Sequence, residues 1–371
     1  MKNHQLLKIV LAVGASLGIS TAALADVVKI ATVIPKTGSV TQYGDLIREG
    51  VQTAVEKLNA KDGVDGHTFE MVEFDDACEP SQAAVAANKI VNENIKFVVG
   101  PTCSGATIAA APVFEEQEIV MITPSATAPS VTRDKSYHFI FRTIGRDNQQ
   151  IPAAVDYVLK HQPKKIAILH DKQSFGLGLA TTMWDLLKEK GIEPAIFEAI
   201  NAGEPDYSAI ITRFKAEGID FVYYGGYHPE LGLLLRQAQE QDFKARFMAA
   251  EGAGNLDINA IAGEASEGFL LTFPRDFSKN PENQSVVADF KAKGRDASGA
   301  YQLPAYAAVQ AIAAAIHGTQ STDTTKVADW LHQNTVPSVI GDLQWQESGD
   351  LVHFDFDVLE WHKDGSSTLA D

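Results

Sequence analysis

The chain has 371 residues, with 31 lysines and arginines against 48 aspartates and glutamates, a formal net charge of −17. That sign excludes a protein built to neutralise nucleic-acid phosphates and disfavours anionic membrane surfaces. The length exceeds what one hydrophobic core usually serves and predicts two domains.

Residues 1–25 read as an export signal. Lys2 and Lys8 supply the positive start, residues 9–19 a short apolar run, and Ala23-Leu24-Ala25 a small-x-small cleavage site. The run is too short to span a bilayer. The competing reading is a buried N-terminal helix, which the uninterrupted absence of charge disfavours. No cysteine precedes Cys78, so lipid attachment at a new N-terminal cysteine is not expected. The mature chain is expected to begin at Asp26 and to be soluble outside the cytoplasm. Without Lys2 and Lys8 its balance is 29 basic against 48 acidic residues.

From Asp26 onward, strand and helix alternate. The pattern predicts strands at 27–33, 67–75, 97–99 and 119–123. Helices are predicted at 44–61, from a cap at Ser81 to Asn92, and at 105–116. Such spacing makes right-handed βαβ units around a parallel sheet. The grammar restarts with strands at 165–169, 195–199, 221–224 and 246–249. Helices at 176–190, 207–217 and 230–240 separate them. Later a strand at 269–273, a helix at 283–293, an apolar helix opened by Pro304 and a strand at 354–361 are expected. No element is assigned to 130–164 or 318–353. A chain that returns this way suggests more than one crossover between the domains.

The restart is nearly in register. Ile95-Lys96-Phe97-Val98 matches Ile219-Asp220-Phe221-Val222, and Thr127 and Glu251 each lie 32 residues past their own segment. Tyr43-Gly44 and Phe175-Gly176 each precede a helix in the corresponding place. Two similar open sheets follow, and ligands bind such sheets beyond the carboxyl ends of their strands. The ligand loops are therefore expected at 34–43, 100–104, 124–129, 171–175, 225–230 and 250–255.

Within those loops each candidate has an ordinary rival. Ser104 reads as a helix N-cap; it reads equally as part of a carboxylate receptor, because free N–H groups at a helix start attract anions. Residues 123–129 form either a rigid solvated loop or a ligand loop with two free hydroxyls. Glu251, in a small-residue loop, is either a surface glutamate or the neutraliser of an ammonium arriving from the other domain. Tyr43, Phe175, Tyr227 and Tyr301 either pack locally or wall an apolar side chain. Cys78 and Cys103 are the only cysteines. In an oxidising compartment they read as a disulfide worth about 3 kcal/mol in the chain-entropy model. A redox or metal pair is the alternative, with neither CxxC spacing nor a nearby histidine.

Enzyme signals are weak. Gly176-Leu177-Gly178 lies too far past its strand for a dinucleotide loop, with Thr181 at the third glycine position. Asp75-Asp76 has no histidine at ligand spacing, and neither HExxH nor GxSxG occurs. Neither cofactor nor metal is expected, and no nucleophile–base set is visible.

An ordered set of segments carries a resemblance over nearly the whole mature chain. It includes Thr41-Gln42-Tyr43-Gly44-Asp45, Asp75-Asp76-Ala77-Cys78, Cys103-Ser104, the run Met121 to Pro129, His170-Asp171-Lys172-Gln173, Tyr223 to Glu230 and Ile261-Ala262-Gly263-Glu264. With these the chain resembles the leucine/isoleucine/valine-binding family of periplasmic binding proteins, which serve branched-chain amino-acid ABC transporters. The resemblance implies a type I fold: two Rossmann-like α/β lobes with parallel sheets, joined by three hinge crossovers. The lobes would comprise 26–145 with 275–354, and 146–274 with 355–371.

By the same resemblance, Ser104 and Thr127 would hold the ligand carboxylate through hydroxyl and backbone N–H. The Ser125 carbonyl, the Thr127 hydroxyl and Glu251 would hold its ammonium. Thr102, Cys103 and Ala126 would belong to the same loops, and Tyr43, Phe175, Tyr227 and Tyr301 would line the pocket. Cys78–Cys103 is the family's disulfide. The implied partners are a free aliphatic amino acid and an inner-membrane ABC permease, with the protein itself periplasmic and monomeric. This chain departs from the family pattern at Thr102, at Gly105-Ala106, at Ala249-Ala250 and at Phe175. Thr102 would make the side-chain pocket more polar, so threonine or alanine joins leucine, isoleucine and valine as expected ligands. A ligand sensor using the same clamp is the alternative function; a fused signalling domain or transmembrane helix would mark it.

Overall fold

The structure, a computed structural model, describes residues 26–371; the expected export signal at 1–25 lies outside the described residues. The first sheet contains β1 (Asp26–Ile34), β2 (His67–Asp75), β3 (Phe97–Val99), β4 (Val120–Thr123) and β5 (Ile140–Arg142). They are ordered β2-β1-β3-β4-β5 and all parallel. Helices α1 (Thr41–Asn59), α2 (Pro80–Asn92) and α3 (Ser104–Glu116) connect the first four strands. The central strands β3 and β4 are apolar runs buried along their length, as a strand covered on both faces must be. Edge strand β2 is only partly buried.

A second sheet repeats this order. After α4 (Asp147–His161) come β6 (Ile166–His170), α5 (Ser174–Glu189), β7 (Ile196–Ala199), α6 (Ser208–Glu217), β8 (Phe221–Gly225), α7 (His228–Glu240) and β9 (Arg246–Ala249). Then follow α8 (Asp257–Ala262) and β10 (Leu270–Pro274). Strands β7-β6-β8-β9-β10 are parallel and stand in the same spatial order as β2-β1-β3-β4-β5. The duplication read from the sequence is therefore a duplication of topology, with β3 matching β8 and β4 matching β9. The Thr127 and Glu251 loops leave equivalent strands.

The chain then returns to the first body. Helices α9 (Gln284–Ala292), α10 (Gln302–Thr319) and α11 (Thr324–Gln333) follow, with the nearly all-apolar α10 against α1 and the first sheet. A small antiparallel pair, β11 (Val336–Ser338) and β12 (Gly341–Leu343), comes next. The chain crosses back to add β13 (Phe356–Trp361) antiparallel to β10, and then β14 (Ser367–Leu369) antiparallel to β13. Three crossovers join the two sheets: between β5 and α4, after β10, and before β13.

Some local expectations are corrected. Ser81 does not cap α2. Pro80 is its first residue, because proline's fixed φ suits that position, and Glu79 is the N-cap. Ser104 is not an N-cap either: the Cys103 carbonyl accepts the Thr107 N–H at 2.9 Å, so Cys103 caps α3 and Ser104 is its first residue. Pro304 lies inside the first turn of α10, which begins at Gln302. Proline costs no helical hydrogen bond there. The Tyr43-Gly44 and Phe175-Gly176 pairs sit in the first turns of α1 and α5. A Cβ on Gly44 would strike the Pro35 carbonyl, and one on Gly176 the Gly225 carbonyl. Each glycine lets a helix start press directly on backbone.

The first and third crossovers are tied by a buried ion pair. Arg142, fully buried at the end of β5, donates from Nε to Asp350 Oδ1 at 2.7 Å. Its Nη2 reaches the Ala128 carbonyl at 2.9 Å and Thr132 Oγ1 at 3.0 Å, and Nη1 bonds the Ala126 carbonyl. Arg146 adds a second cation on Asp350 Oδ2 at 3.0 Å. Removing one member of a buried pair leaves the other uncompensated. Asp350→Ala is expected to lower unfolding free energy by about 3–5 kcal/mol, read from urea denaturation. A loss below about 1 kcal/mol would show that the guanidinium does not need this partner.

Candidate functional site

The carboxyl ends of the two sheets face each other, and their loops meet. Loop 100–104 and loop 124–128 are stitched together: Thr123 Oγ1 donates to the Pro101 carbonyl at 2.8 Å, and Ser125 Oγ to the Thr102 carbonyl at 2.7 Å. The Ala128 N–H donates to Ser104 Oγ at 3.3 Å. Ala126 has both backbone groups engaged, its N–H with Thr123 Oγ1 at 3.1 Å and its carbonyl with Arg142. Its part is to shape the loop. The disulfide Cys78–Cys103, with Cα atoms 5.4 Å apart, anchors the start of α3 to the loop after β2. Asp75 braces the neighbouring loop, accepting the Lys36 N–H and the Thr37 hydroxyl at 2.8 Å each. At α3 the first-turn N–H groups of Ser104, Gly105 and Ala106 have no helical carbonyl to pair with and carry the positive end of the dipole.

Glu251 faces this start from the second sheet. It is completely buried, and its Oε1 accepts the Thr127 hydroxyl at 3.4 Å, joining the two repeat-related positions across the interface. Its Oε2 and the Thr102 hydroxyl have no hydrogen-bond partner among the described residues. Burial pushes the Glu251 carboxyl up to about 8; the charge of Asp147 adds to the rise, and the facing Gln150 and Thr127 side chains oppose it.

Four aromatics enclose the same place. Tyr43 lies 5.6 Å from Tyr301 and 6.2 Å from Tyr227 between ring centroids, and Phe175 lies 5.0 Å from Tyr227. All four are buried. A Cβ on Gly252 would strike Phe175, so only glycine lets the ring lie over the residue after Glu251. The Tyr43 hydroxyl also bridges the bodies. It donates to the Gly252 carbonyl at 2.6 Å, which leaves its lone pair for the His228 Nδ1–H at 3.0 Å. Desolvation keeps His228 neutral, with its pKa lowered to about 4, which suits the donor role.

All eleven residues expected at the site, Tyr43, Thr102, Cys103, Ser104, Ser125, Ala126, Thr127, Phe175, Tyr227, Glu251 and Tyr301, are buried in these loops and helix starts. Several neighbours went unforeseen. Asp147 and Gln150 on α4, and Arg142 with Asp350, adjoin the site through segments with no motif, and His228 joins it from within the loop expected at 225–230 without having been singled out. β5 is three residues long with an arginine, and α4 contains Pro152, so neither reads as a regular element. The one available signal was the charge pattern Arg142-Thr143-Ile144-Gly145-Arg146-Asp147, which begins 13 residues past the ligand loop expected at 124–129.

No helix of the described residues is long and apolar enough to cross a membrane, and no cluster of three or more His, Cys, Asp or Glu there could hold a metal. A carboxylate, a free helix start and an aromatic wall together complement the two charges and the apolar side chain of a small zwitterion.

Comparison with known proteins agrees with this geometry. The family model described as periplasmic binding protein matches residues 27–366. The leucine-, isoleucine-, valine-, threonine- and alanine-binding protein of Pseudomonas aeruginosa is 50% identical over 345 residues, covering 93% of this chain and 92% of that protein. The Leu/Ile/Val-binding protein of Escherichia coli is 45% identical over 356 residues, 96% of each chain. Among solved structures, a leucine binding protein from Thermotoga maritima superposes with a TM-score of 0.85 at 28% identity, over 93% of this chain and 98% of that one. With a full-length family match, half-identical relatives and the same two-sheet architecture, the chain belongs to the periplasmic binding protein family.

Proposed function

We propose that this protein is the substrate-binding component of a branched-chain amino-acid ABC transporter. It captures leucine, isoleucine or valine, with threonine and alanine as further ligands, by closing two lobes. The observation that carries this reading is Glu251, buried opposite Thr127 and the free start of α3 inside a ring of four aromatics. A free amino acid has the complementary pattern of an anion, a cation one carbon away and an apolar side chain. The ligand carboxylate meets Ser104 and the first-turn N–H groups of α3, the ammonium meets Glu251, the Thr127 hydroxyl and the Ser125 carbonyl, and the aromatics cover the side chain. The names of the Pseudomonas and Escherichia relatives support the ligand class, and the former supports threonine and alanine. The unpaired hydroxyl of Thr102 suits a slightly polar side chain.

The lobes are 26–145 with 275–354, and 146–274 with 355–371, hinged at the three crossovers. Closure excludes water, which strengthens each charged contact, and the closed form presents both lobes to an inner-membrane permease. The protein acts as a periplasmic monomer after removal of residues 1–25. Ligand stabilises the closed form only by its preference for that state.

A thermal-shift panel of the twenty amino acids on the mature chain tests the ligand class, with stabilisation expected from leucine, isoleucine, valine, threonine and alanine alone. Glu251→Gln keeps the shape and removes the charge. It is expected to weaken leucine binding by about 2–5 kcal/mol, roughly 30-fold or more. An unchanged calorimetric Kd would remove Glu251 from the ammonium site. Tyr43→Phe deletes the bridge to Gly252 and His228 and leaves both buried groups unpaired, at about 1–3 kcal/mol. Stopped-flow measurement should find that loss mainly in faster dissociation, since association precedes closure.

A further inference from the structure

Asp147 has no place in the scheme so far, yet it shares the floor of the site. It opens α4 directly after the first crossover, and its own N–H donates to the Thr127 carbonyl at 3.0 Å. Its side chain is completely buried, and neither carboxylate oxygen has a hydrogen-bond partner among the described residues. On the second-lobe side it abuts Gly178 of α5, whose Cβ position lies 3.3 Å from Asp147 Oδ2 and 3.9 Å from the Ala128 side chain. The Thr127–Ala128 segment of the first lobe therefore helps to keep water from it.

Charged and titratable groups face Asp147 from several elements. From β5, the Arg142 guanidinium is nearby, but its donors are committed to Asp350, the Ala126 and Ala128 carbonyls and Thr132. From Asp147's own element boundary, Arg146 is paired with Asp350. From β8, the Tyr223 hydroxyl is buried, without a partner among the described residues, and held in its neutral form. From the loop after β9, Glu251 is the second carboxylate, and the charge of Asp147 adds to the rise of its pKa. Thr127 lies between them, its hydroxyl on Glu251 and its carbonyl on the Asp147 N–H.

Charge counting then decides. Two carboxylates share a dry volume, and the amino acid brings one ammonium. Glu251 is neutralised by it, and the anion left over has neither water nor a free cation. An isolated buried carboxylate is too costly to keep and protonates instead.

We propose that Asp147 is the proton acceptor of this binding site: as the lobes close on an amino acid, Glu251 pairs with the ligand ammonium and one Asp147 carboxylate oxygen takes a proton from solvent. This rests on the reading of Glu251 as the ammonium partner. Water in the open cleft returns Asp147 to the ordinary carboxylate range, about 4. Burial in the closed cleft pushes it up to about 7, against the opposing pull of the Thr127 side chain and the Arg142 charge. The closed state thus holds the proton more tightly. Binding takes up a proton between those two values, and affinity falls as pH rises through that window, by up to about tenfold per pH unit, levelling above it.

The test is isothermal titration calorimetry of leucine into the mature chain at pH 6, in two buffers of different ionisation enthalpy. Uptake of close to one proton per leucine is expected for the native chain. Asp147→Asn should take up none and should bind with an affinity that no longer changes between pH 5 and pH 7. Leucine binding by the native chain without proton uptake would overturn the proposal and leave the ammonium reading standing. If no amino acid binds at all, that reading falls and takes the proposal with it. Uptake that persists in Asp147→Asn would also overturn it. Should Asp147→Asn fail to fold, difference infrared spectroscopy of the native chain at pH 6 decides instead: a protonated-carboxyl band must appear on adding leucine, and its absence refutes the assignment.

Discussion

A carboxylate removed entirely from water sets the terms for the rest of this structure. Glu251 is completely buried with one weak bond from Thr127, and burial raises its affinity for protons far above that of a surface glutamate. A side chain in that condition is stabilised by an arriving cation and by little else. The surrounding features follow from that need. The free helix start of α3 supplies the opposite polarity for an anion, the aromatics exclude water, and Asp147 makes the local excess of negative charge worse.

The walls of this site are the two duplicated sheets. Each wall is built at the carboxyl ends of parallel strands, where the backbone leaves the sheet and loops are free to carry function. Rigidity comes from local devices. The disulfide fixes the start of α3, and Arg142 holds the Ala126 and Ala128 carbonyls while reaching Asp350 on the third crossover. The same guanidinium thus shapes a ligand loop and ties two hinge segments together.

Much of this was legible in the residues. The buried strands β3 and β4 are continuous apolar runs, and the Ile-x-Phe-Val echo located the repeat that strand order later established. The aromatic–glycine pairs were visible as a signal, though their cause, helix starts pressed against backbone carbonyls, was not. Hydroxyls are ambiguous at helix starts, which is why Ser104 read as a cap. The identity of the cap depends on which carbonyl receives the first helical bond, and that is a matter of backbone path. β5 and α4 escaped notice because an arginine and a proline break their patterns.

What the sequence determined by itself was periodicity and order: alternating strands and helices, their duplication, and a set of polar and aromatic residues confined to the loops after strands. Those depend on neighbours along the chain, so local composition suffices. Only the tertiary structure decided which of those residues meet. The pairing of Thr127 with Glu251 spans 124 positions, the Tyr43 bridge to Gly252 spans 209, and Arg142 reaches Asp350 across 208. Burial of Asp147 is likewise a property of the assembled lobes, since Gly178 and Ala128, both distant in sequence, close on its side chain. Desolvation and charge pairing act through space, and the chemistry of this site is made of those two effects.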